Sequence, residues 1–266
     1  MKTNTVKAEL RAGKPQIGTW LSLASPMAAR FMVRTGYHWL TLDIEHSPAS
    51  WETAATVFGC IDDAGGIPLA RVPGSTMEYA KRALDAGAYG IVFPMCNTRE
   101  EAEEAVAICK YAPEGRRSVG GGLHMLNFGT SSGEYYKRAN DHILVVIQTE
   151  HKVAVEHCDE IYSVPGIDAM FLGPNDLLSS MHKTPAMETD DPEFVAALKR
   201  VRESAVRNGI APGLHVADAE MANRRLKEGW RFIAVSSELG FMLQAARSTA
   251  IATIGETEGE KGMARY

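Results

Sequence analysis

The sequence predicts an α/β fold, a closed (βα)8 TIM barrel, on three observations. Eight short apolar strands can be counted between Ile17 and Ser236. A capped helix follows nearly every one, repeating at a spacing of about 30 residues, as βα units do. Several strands also end abruptly in ionisable or amide side chains, the clearest being Leu40-Thr41-Leu42-Asp43-Ile44-Glu45-His46, which Pro48 stops. A parallel barrel gathers its chemistry at the C-terminal tips of its strands, where these residues fall.

Each unit has its own signals. Ile17 to Ala24 reads as the first strand, and Ser25-Pro26 opens a helix that Gly36 ends. His38 to Asp43 is the second strand; Ser50 then caps a helix to Asp63, closed by Gly65-Gly66. Pro68 to Val72 is followed by Thr76 and a helix to Gly87. Gly90 to Met95 is followed by Thr98-Arg99-Glu100-Glu101, a capping box opening a helix to Tyr111. Ile143 to Gln148 is the most apolar strand, with a helix from Lys152 to Tyr162 behind it. Ile167 to Leu172 leads into Gly173-Pro174-Asn175-Asp176, and Asp191-Pro192 starts a helix to Arg207. Pro212 to Val216, an Asp218-capped helix, and Arg231 to Ser236 complete the alternation before a last helix from Leu239 to Ile251. Residues 1–254 read as one domain and residues 255–266 as a polar, disordered tail.

Ala112 to Asp141 breaks the rhythm with Arg116-Arg117, Gly120-Gly121-Gly122, His124 and Tyr135-Tyr136. No GxxxxGK(S/T) or GxGxxG leads into a helix there, so its glycines resemble a phosphate loop only superficially. The segment reads as an excursion over the active-site face, a lid or a subunit contact.

Composition narrows the function classes. A formal net charge of -5 argues against nucleic acid or an anionic membrane as partner. No apolar run reaches the roughly 18 residues a membrane span needs. Met1 to Gly13 lacks the apolar centre of a signal peptide, which favours the cytoplasm. Cys60, Cys96, Cys109 and Cys158 are scattered, form no CxxC pair, and read as reduced thiols rather than a zinc site.

The strand tips, in order, present Trp20, Asp43-Glu45-His46, Arg71, Pro94, Gln148-Glu150, Asn175-Asp176, His215 and Ser236-Ser237. Glu150 and Asp176 come from adjacent strands, and two neighbouring acids repel unless a cation lies between them. Oxygen-only ligation favours Mg²⁺ or Mn²⁺; helix capping is the structural alternative. Arg71 would hold a carboxylate or oxyanion, or serve a structural ion pair. His46 is a candidate base if a turn at Glu45-His46 brings an acid onto its ring. No lysine stands at a strand tip, which disfavours a Schiff-base mechanism.

Gly18-Thr19-Trp20-Leu21-Ser22, Asp43-Ile44-Glu45-His46, Ala70-Arg71-Val72-Pro73, Gln148-Thr149-Glu150 and Gly173-Pro174-Asn175-Asp176-Leu177 occur in an order that resembles the HpcH/HpaI aldolase family. The resemblance runs from Ile17 to Ala250 and implies a metal-dependent (class II) pyruvate aldolase. It implies Glu150 and Asp176 as ligands of Mg²⁺ or Mn²⁺, with Co²⁺ or Zn²⁺ as substitutes. It implies Arg71 as the stabiliser of an enolate and His46, supported by Asp43, as the base. Gln148 would orient pyruvate over Trp20, the backbone of Gly173, Pro174, Asn175 and Asp176 would hold its carboxylate, and Leu214 would line the aldehyde side. The family also implies a homo-oligomer, a trimer or hexamer, in which the C-terminal helix is exchanged between subunits.

The expected activity is reversible cleavage of a 4-hydroxy-2-oxo acid to pyruvate and an aldehyde. Arg116-Arg117 with the triple glycine, and Asn127-Phe128-Gly129, resemble macrophomate synthase, so oxaloacetate decarboxylation with enolate trapping is the alternative. A non-catalytic barrel that binds 2-oxo acids is the reading from another class. Ser25, His151 and His215 depart from the family pattern and bear on the second substrate.

Overall fold

The computed structural model describes residues 1–255, and the tail expected at the C-terminus lies, beyond Gly255, outside the described residues. The strands are β1 (Gln16–Leu21), β2 (Trp39–Asp43), β3 (Ile67–Arg71), β4 (Gly90–Phe93), β5 (Leu144–Thr149), β6 (Ala169–Leu172), β7 (Ala211–Val216) and β8 (Phe232–Ser237). Each pairs in parallel with its sequence neighbours, and β8 closes on β1, so the expected barrel is the one observed. Closure leaves no exposed sheet edge and brings all eight C-terminal tips to one mouth.

The helices are α1 (Thr5–Arg11), α2 (Pro26–Met32), α3 (Trp51–Asp63), α4 (Met77–Asp85), α5 (Arg99–Cys109), α6 (Leu123–Asn127), α7 (Ser132–His142), α8 (Lys152–Glu156), α9 (Cys158–Tyr162), α10 (Pro174–Ser180), α11 (Pro192–Arg207), α12 (Ala219–Lys227) and α13 (Glu238–Ile254). Their starts are written in the sequence. Ser50 accepts from the N–H of Thr53, Thr76 from that of Tyr79, and Asp218 from that of Met221. Thr98 and Glu101 form the reciprocal capping box. Asp191 caps α11 with Pro192 at its first position. The four cysteines are free, and no helix among the described residues is long and apolar enough to cross a membrane.

Four features differ from the sequence expectation. The polar N-terminal segment contains α1, capped by Asn4, with Val6 and Leu10 buried. His157 divides the helix behind β5 into α8 and α9. A short helix, α10, begins at Pro174, immediately after β6.

The largest correction concerns Ala112 to Asp141, which packs on the floor of the barrel and not over its mouth. Tyr89 and Ile143 precede β4 and β5, so they mark the N-terminal ends of those strands. The Tyr89 hydroxyl donates to the Asn127 carbonyl at 2.8 Å, and Asn127 Nδ2 donates to the Gly87 carbonyl at 2.9 Å. Arg117, fully buried, reaches Asp85 at the end of α4 at 2.7 Å. Helices antiparallel to the strands end at the floor, so the segment after α5 starts there and is held there by these buried bonds.

α1 seals the same floor. Lys7 Nζ meets Asp168 at 2.9 Å, both side chains being buried. Asp168 also accepts the N–H of Val145 at 3.0 Å and so ties α1 to β5. Burial pulls the Lys7 ammonium down to about 8 against the opposing pull of Asp168. Removing one partner of such a pair leaves a buried charge uncompensated. Asp168→Ala is therefore expected to lower unfolding free energy by about 3–5 kcal/mol in a denaturant titration; a loss under about 1 kcal/mol would show that α1 does not pin the floor.

Candidate active site

Parallel register decides which residues meet at the mouth. β2 and β3 run level from Trp39 opposite Ile67 to Asp43 opposite Arg71. Arg71 therefore emerges beside Asp43, its Nε donating to Oδ1 at 3.0 Å and its Nη2 to Oδ2. The guanidinium lies 4.7 Å from the ring centroid of Trp20, which is itself packed edge-on against Phe171. Burial works against the charge of Arg71, yet the bonds to Asp43 and the fields of Asp43, Glu45 and Glu150 outweigh it and hold the group above its ordinary value. Arg71 is thus both a structural ion pair and a fixed cation, and its Nη1 takes no part in these bonds.

After Asp43 the chain turns. Asp43 Oδ1 accepts the N–H groups of Glu45 and His46, each at 3.1 Å, and Ser47 donates its hydroxyl to the Asp43 carbonyl. This Asx turn supplies the bend that an extended strand would lack. It carries the Glu45 carboxylate to 3.3 Å from Arg71 Nε and 3.9 Å from His46 Nε2. The acid expected to support His46 was Asp43. Its oxygens are consumed by Arg71 and the turn, and Glu45 faces the imidazole in its place. Burial raises the Glu45 carboxyl above its ordinary range, although Arg71 and His46 oppose the shift. The His46 side chain is 66% exposed.

Glu150 follows β5 and is buried. Its Oε1 accepts the N–H of Met95 at 2.7 Å, and its Oε2 accepts from Gln148 Nε2 at 2.9 Å. Met95 takes a left-handed backbone, φ 52°, at this point. Gly173 is required by proximity, since a Cβ there would lie 2.5 Å from Glu150 Oε2. Burial pushes the Glu150 carboxyl up to about 7; the Met95 N–H and Arg71 pull it down, while Asp176 and Glu45 push it further up. Asp176 is exposed in the first turn of α10, next to exposed Asn175, with Pro174 buried beneath. The N–H of Gly173 is bound to the Thr149 carbonyl at 3.4 Å, whereas those of Asn175 and Asp176 belong to a first helical turn that has no internal acceptor for them.

These groups suit a hard divalent cation. Among the described residues no three His, Cys, Asp or Glu side chains assemble into a metal-ligating group. Glu150 with Asp176 offers oxygen ligands only, the pattern in which Mg²⁺ or Mn²⁺ keeps several waters. Gln148 Oε1 and Trp20 Nε1 are buried without a protein partner, and such groups ordinarily meet water or ligand.

The sequence brought Trp20, Asp43, His46, Arg71, Gln148, Glu150, Gly173, Pro174, Asn175 and Asp176 to one end of the barrel. Leu214 differs. It alternates with His215, whose ring lies 6.0 Å from Trp20 inside the barrel, so the Leu214 side chain turns outward into the buried layer beneath the helices. Glu45 as the acid beside His46, and Met95 as the donor to Glu150, were missed. The Glu45 signal was present in the Asp-Ile-Glu-His run, but Met95 acts through its backbone and carries no signal in its residue type.

Known proteins resemble this chain along most of its length. Residues 16–245 match the family model described as HpcH/HpaI aldolase/citrate lyase. A 4-hydroxy-2-oxo-heptane-1,7-dioate aldolase of Escherichia coli is 34% identical over 247 residues, spanning 93% of this chain and 94% of its own. A crystal structure of an HpcH/HpaI aldolase/citrate lyase family protein from Burkholderia cenocepacia J2315 superposes with a TM-score of 0.89 at 32% identity, over 95% of this chain and 100% of that one. Macrophomate synthase, at 24% identity over 94% of this chain and 90% of its own, shares the fold with a TM-score of 0.80. A barrel whose strand tips carry these acids, this arginine and this histidine, matched along most of its length, belongs to the HpcH/HpaI aldolase/citrate lyase family.

Proposed function

We propose that the protein is a divalent-metal-dependent carbon–carbon lyase that cleaves a 4-hydroxy-2-oxo acid reversibly to pyruvate and an aldehyde through a pyruvate enolate. The observation that carries this reading is the buried Glu150 carboxylate, oriented by Met95 and Gln148 and within the fields of Asp176 and Arg71. In this reading Glu150 and Asp176 hold Mg²⁺ or Mn²⁺, with residues 1–254 acting as one catalytic domain. The cation, when bound, supplies positive charge to the 1-carboxylate and 2-oxo oxygen of the substrate.

The chain's own groups do the rest. Arg71, locked by Asp43 and stacked on Trp20, presents its free Nη1 toward the oxygen that becomes negative, so no reorganisation is needed as charge develops. His46 takes the 4-hydroxyl proton as the C3–C4 bond breaks. The bonding pair passes to C3 and is delocalised onto the 2-oxygen. Glu45 steadies the imidazolium that results. Gln148 fixes the pyruvate unit, and the N–H groups of Asn175 and Asp176 hold its carboxylate. Loss of CO₂ from C3 of oxaloacetate leaves the same enolate on the same residues, so decarboxylation is the second reaction expected of this site.

We further propose a homo-oligomer. Met242, Leu243, Ile251 and Ile254 of α13 are exposed, an unusual surface for a helix that touches its own barrel through β1, β8 and the stacked pair Tyr37 and Phe241. Packing of α13 on a neighbouring barrel would cover them.

The reading fixes several outcomes. A proton and a metal ion compete for the Glu150 oxygens, so apparent Mn²⁺ affinity should fall about tenfold for each pH unit below about 7, a loss that calorimetric titration would register. Glu150→Gln should remove metal-dependent turnover by about a hundredfold or more with the fold intact; equal activity in the variant would reject the ligand assignment. Arg71→Lys should cost about a hundredfold in kcat, because a point charge replaces the planar fork, and wild-type rates would make Arg71 purely structural. Ending the chain before Gly240 should lower the mass measured by light scattering; an unchanged mass would remove α13 from the interface.

A further inference from the structure

None of the steps above uses His215, yet the barrel wall is built around it. The residue lies on β7 with its ring 6.0 Å from Trp20, and Arg71 and Asp43 are the charged groups that face it. The neighbouring strand is irregular at this level. Gly18 pairs with Ala234 but Trp20 pairs with Ser237, so Val235 and Ser236 together oppose Thr19 alone. This is a β-bulge, a device that re-aims groups beside functional sites. Thr19 donates its hydroxyl to the Val235 carbonyl at 2.7 Å. Ser236 takes φ 50°, a left-handed conformation that a serine rarely adopts, and its carbonyl meets His215 Nε2 at 2.9 Å.

A carbonyl oxygen only accepts, so Nε2 carries the proton and donates. Nδ1 is then left with a lone pair and no hydrogen. Among the described residues no hydrogen bond to Nδ1 is found, and the His215 residue is half-buried. Burial, helped by the nearby Arg71 charge, lowers the imidazole to about 4 although the Ser236 bond opposes the shift. The ring is therefore neutral at neutral pH, and Nδ1 stays an acceptor. A strained, bulged strand spent on fixing one tautomer calls for a purpose at Nδ1.

The reading above assigns the pyruvate unit to groups at the tips of β3, β5 and β6. The side of the mouth formed by β7 and β8 is left to the remainder of the substrate. We propose that His215 is a specificity-determining residue, whose Nδ1 accepts a hydrogen bond from a hydroxyl on the aldehyde half, so that the site selects hydroxyaldehydes over their deoxy counterparts. A carboxylate in that position would set acceptor against acceptor at Nδ1. The inference rests on the enolate chemistry proposed above.

The test compares kcat/KM for glycolaldehyde and for the isosteric propionaldehyde, each condensed with pyruvate by the Mg²⁺-loaded enzyme. The ratio of the two is expected to favour glycolaldehyde in the wild type and to drop about tenfold in His215→Leu. His215→Asn, which keeps an acceptor, should recover part of it. Comparing ratios between variants cancels the intrinsic reactivity difference of the two aldehydes. Solvent deuterium exchange into the pyruvate methyl group, followed by NMR, reports enolate formation separately. Exchange in the wild type with an unchanged ratio in both variants would overturn the role of His215 while leaving the enolate reading in place. Absence of exchange in the wild type would overturn the enolate reading, and this inference with it.

Discussion

A carboxylate with almost no access to water must be balanced, and Glu150 is the group on which the rest of this mouth depends. Desolvation alone would drive it toward the neutral acid. The protein opposes that with one backbone N–H from Met95 and the field of Arg71, but it also sets Asp176 and Glu45 nearby, which act in the other direction. The result is a site with negative charge held in excess of its own compensation. Arg71 cannot neutralise Glu150 because its fork is already committed to Asp43, level with it on the next strand. That commitment is a consequence of register, and register follows from the barrel. Fold and electrostatics are therefore one constraint: parallel pairing of β2 with β3 commits Arg71 to Asp43, and among the described residues Glu150 and Asp176, beyond β5 and β6, form no ion pair with a basic side chain.

Much of the architecture was legible because it is local. Strand length, helix caps and the glycines that end helices are decided within a few residues, and Ser50, Thr76, Thr98, Asp191 and Asp218 cap where their sequence context says they should. The candidate site was legible for a related reason. Ionisable side chains at the ends of apolar runs have few structural excuses, and the barrel brings such ends together. The Asn4 cap and the Val6 and Leu10 pair of α1 were also there to be read, but the high polarity between them masked a helix with only one turn's worth of apolar face.

What was not legible is non-local or carried by the backbone. The direction taken by Ala112 to Asp141 depends on buried bonds to Gly87, Tyr89 and Asp85, residues far away in sequence, and glycine content alone gave no side of the barrel. Glu45 stands beside His46 where Asp43 was expected, because an Asx turn breaks the period-two geometry of a strand. Met95 donates through its N–H, and Leu214 was named where its neighbour His215 turns inward.

The relocation of Ala112 to Asp141 to the floor, together with α1, separates two jobs in space. The polar pairs that close the barrel, Lys7 with Asp168 and Arg117 with Asp85, are at one end, and the candidate site groups, Arg71 and Asp43 among them, are at the other. Substitutions around the tips of β7 and β8 can then retune which molecules enter without loosening the base of the scaffold. Such a molecule is free to diversify its substrates during evolution at little risk to its folding.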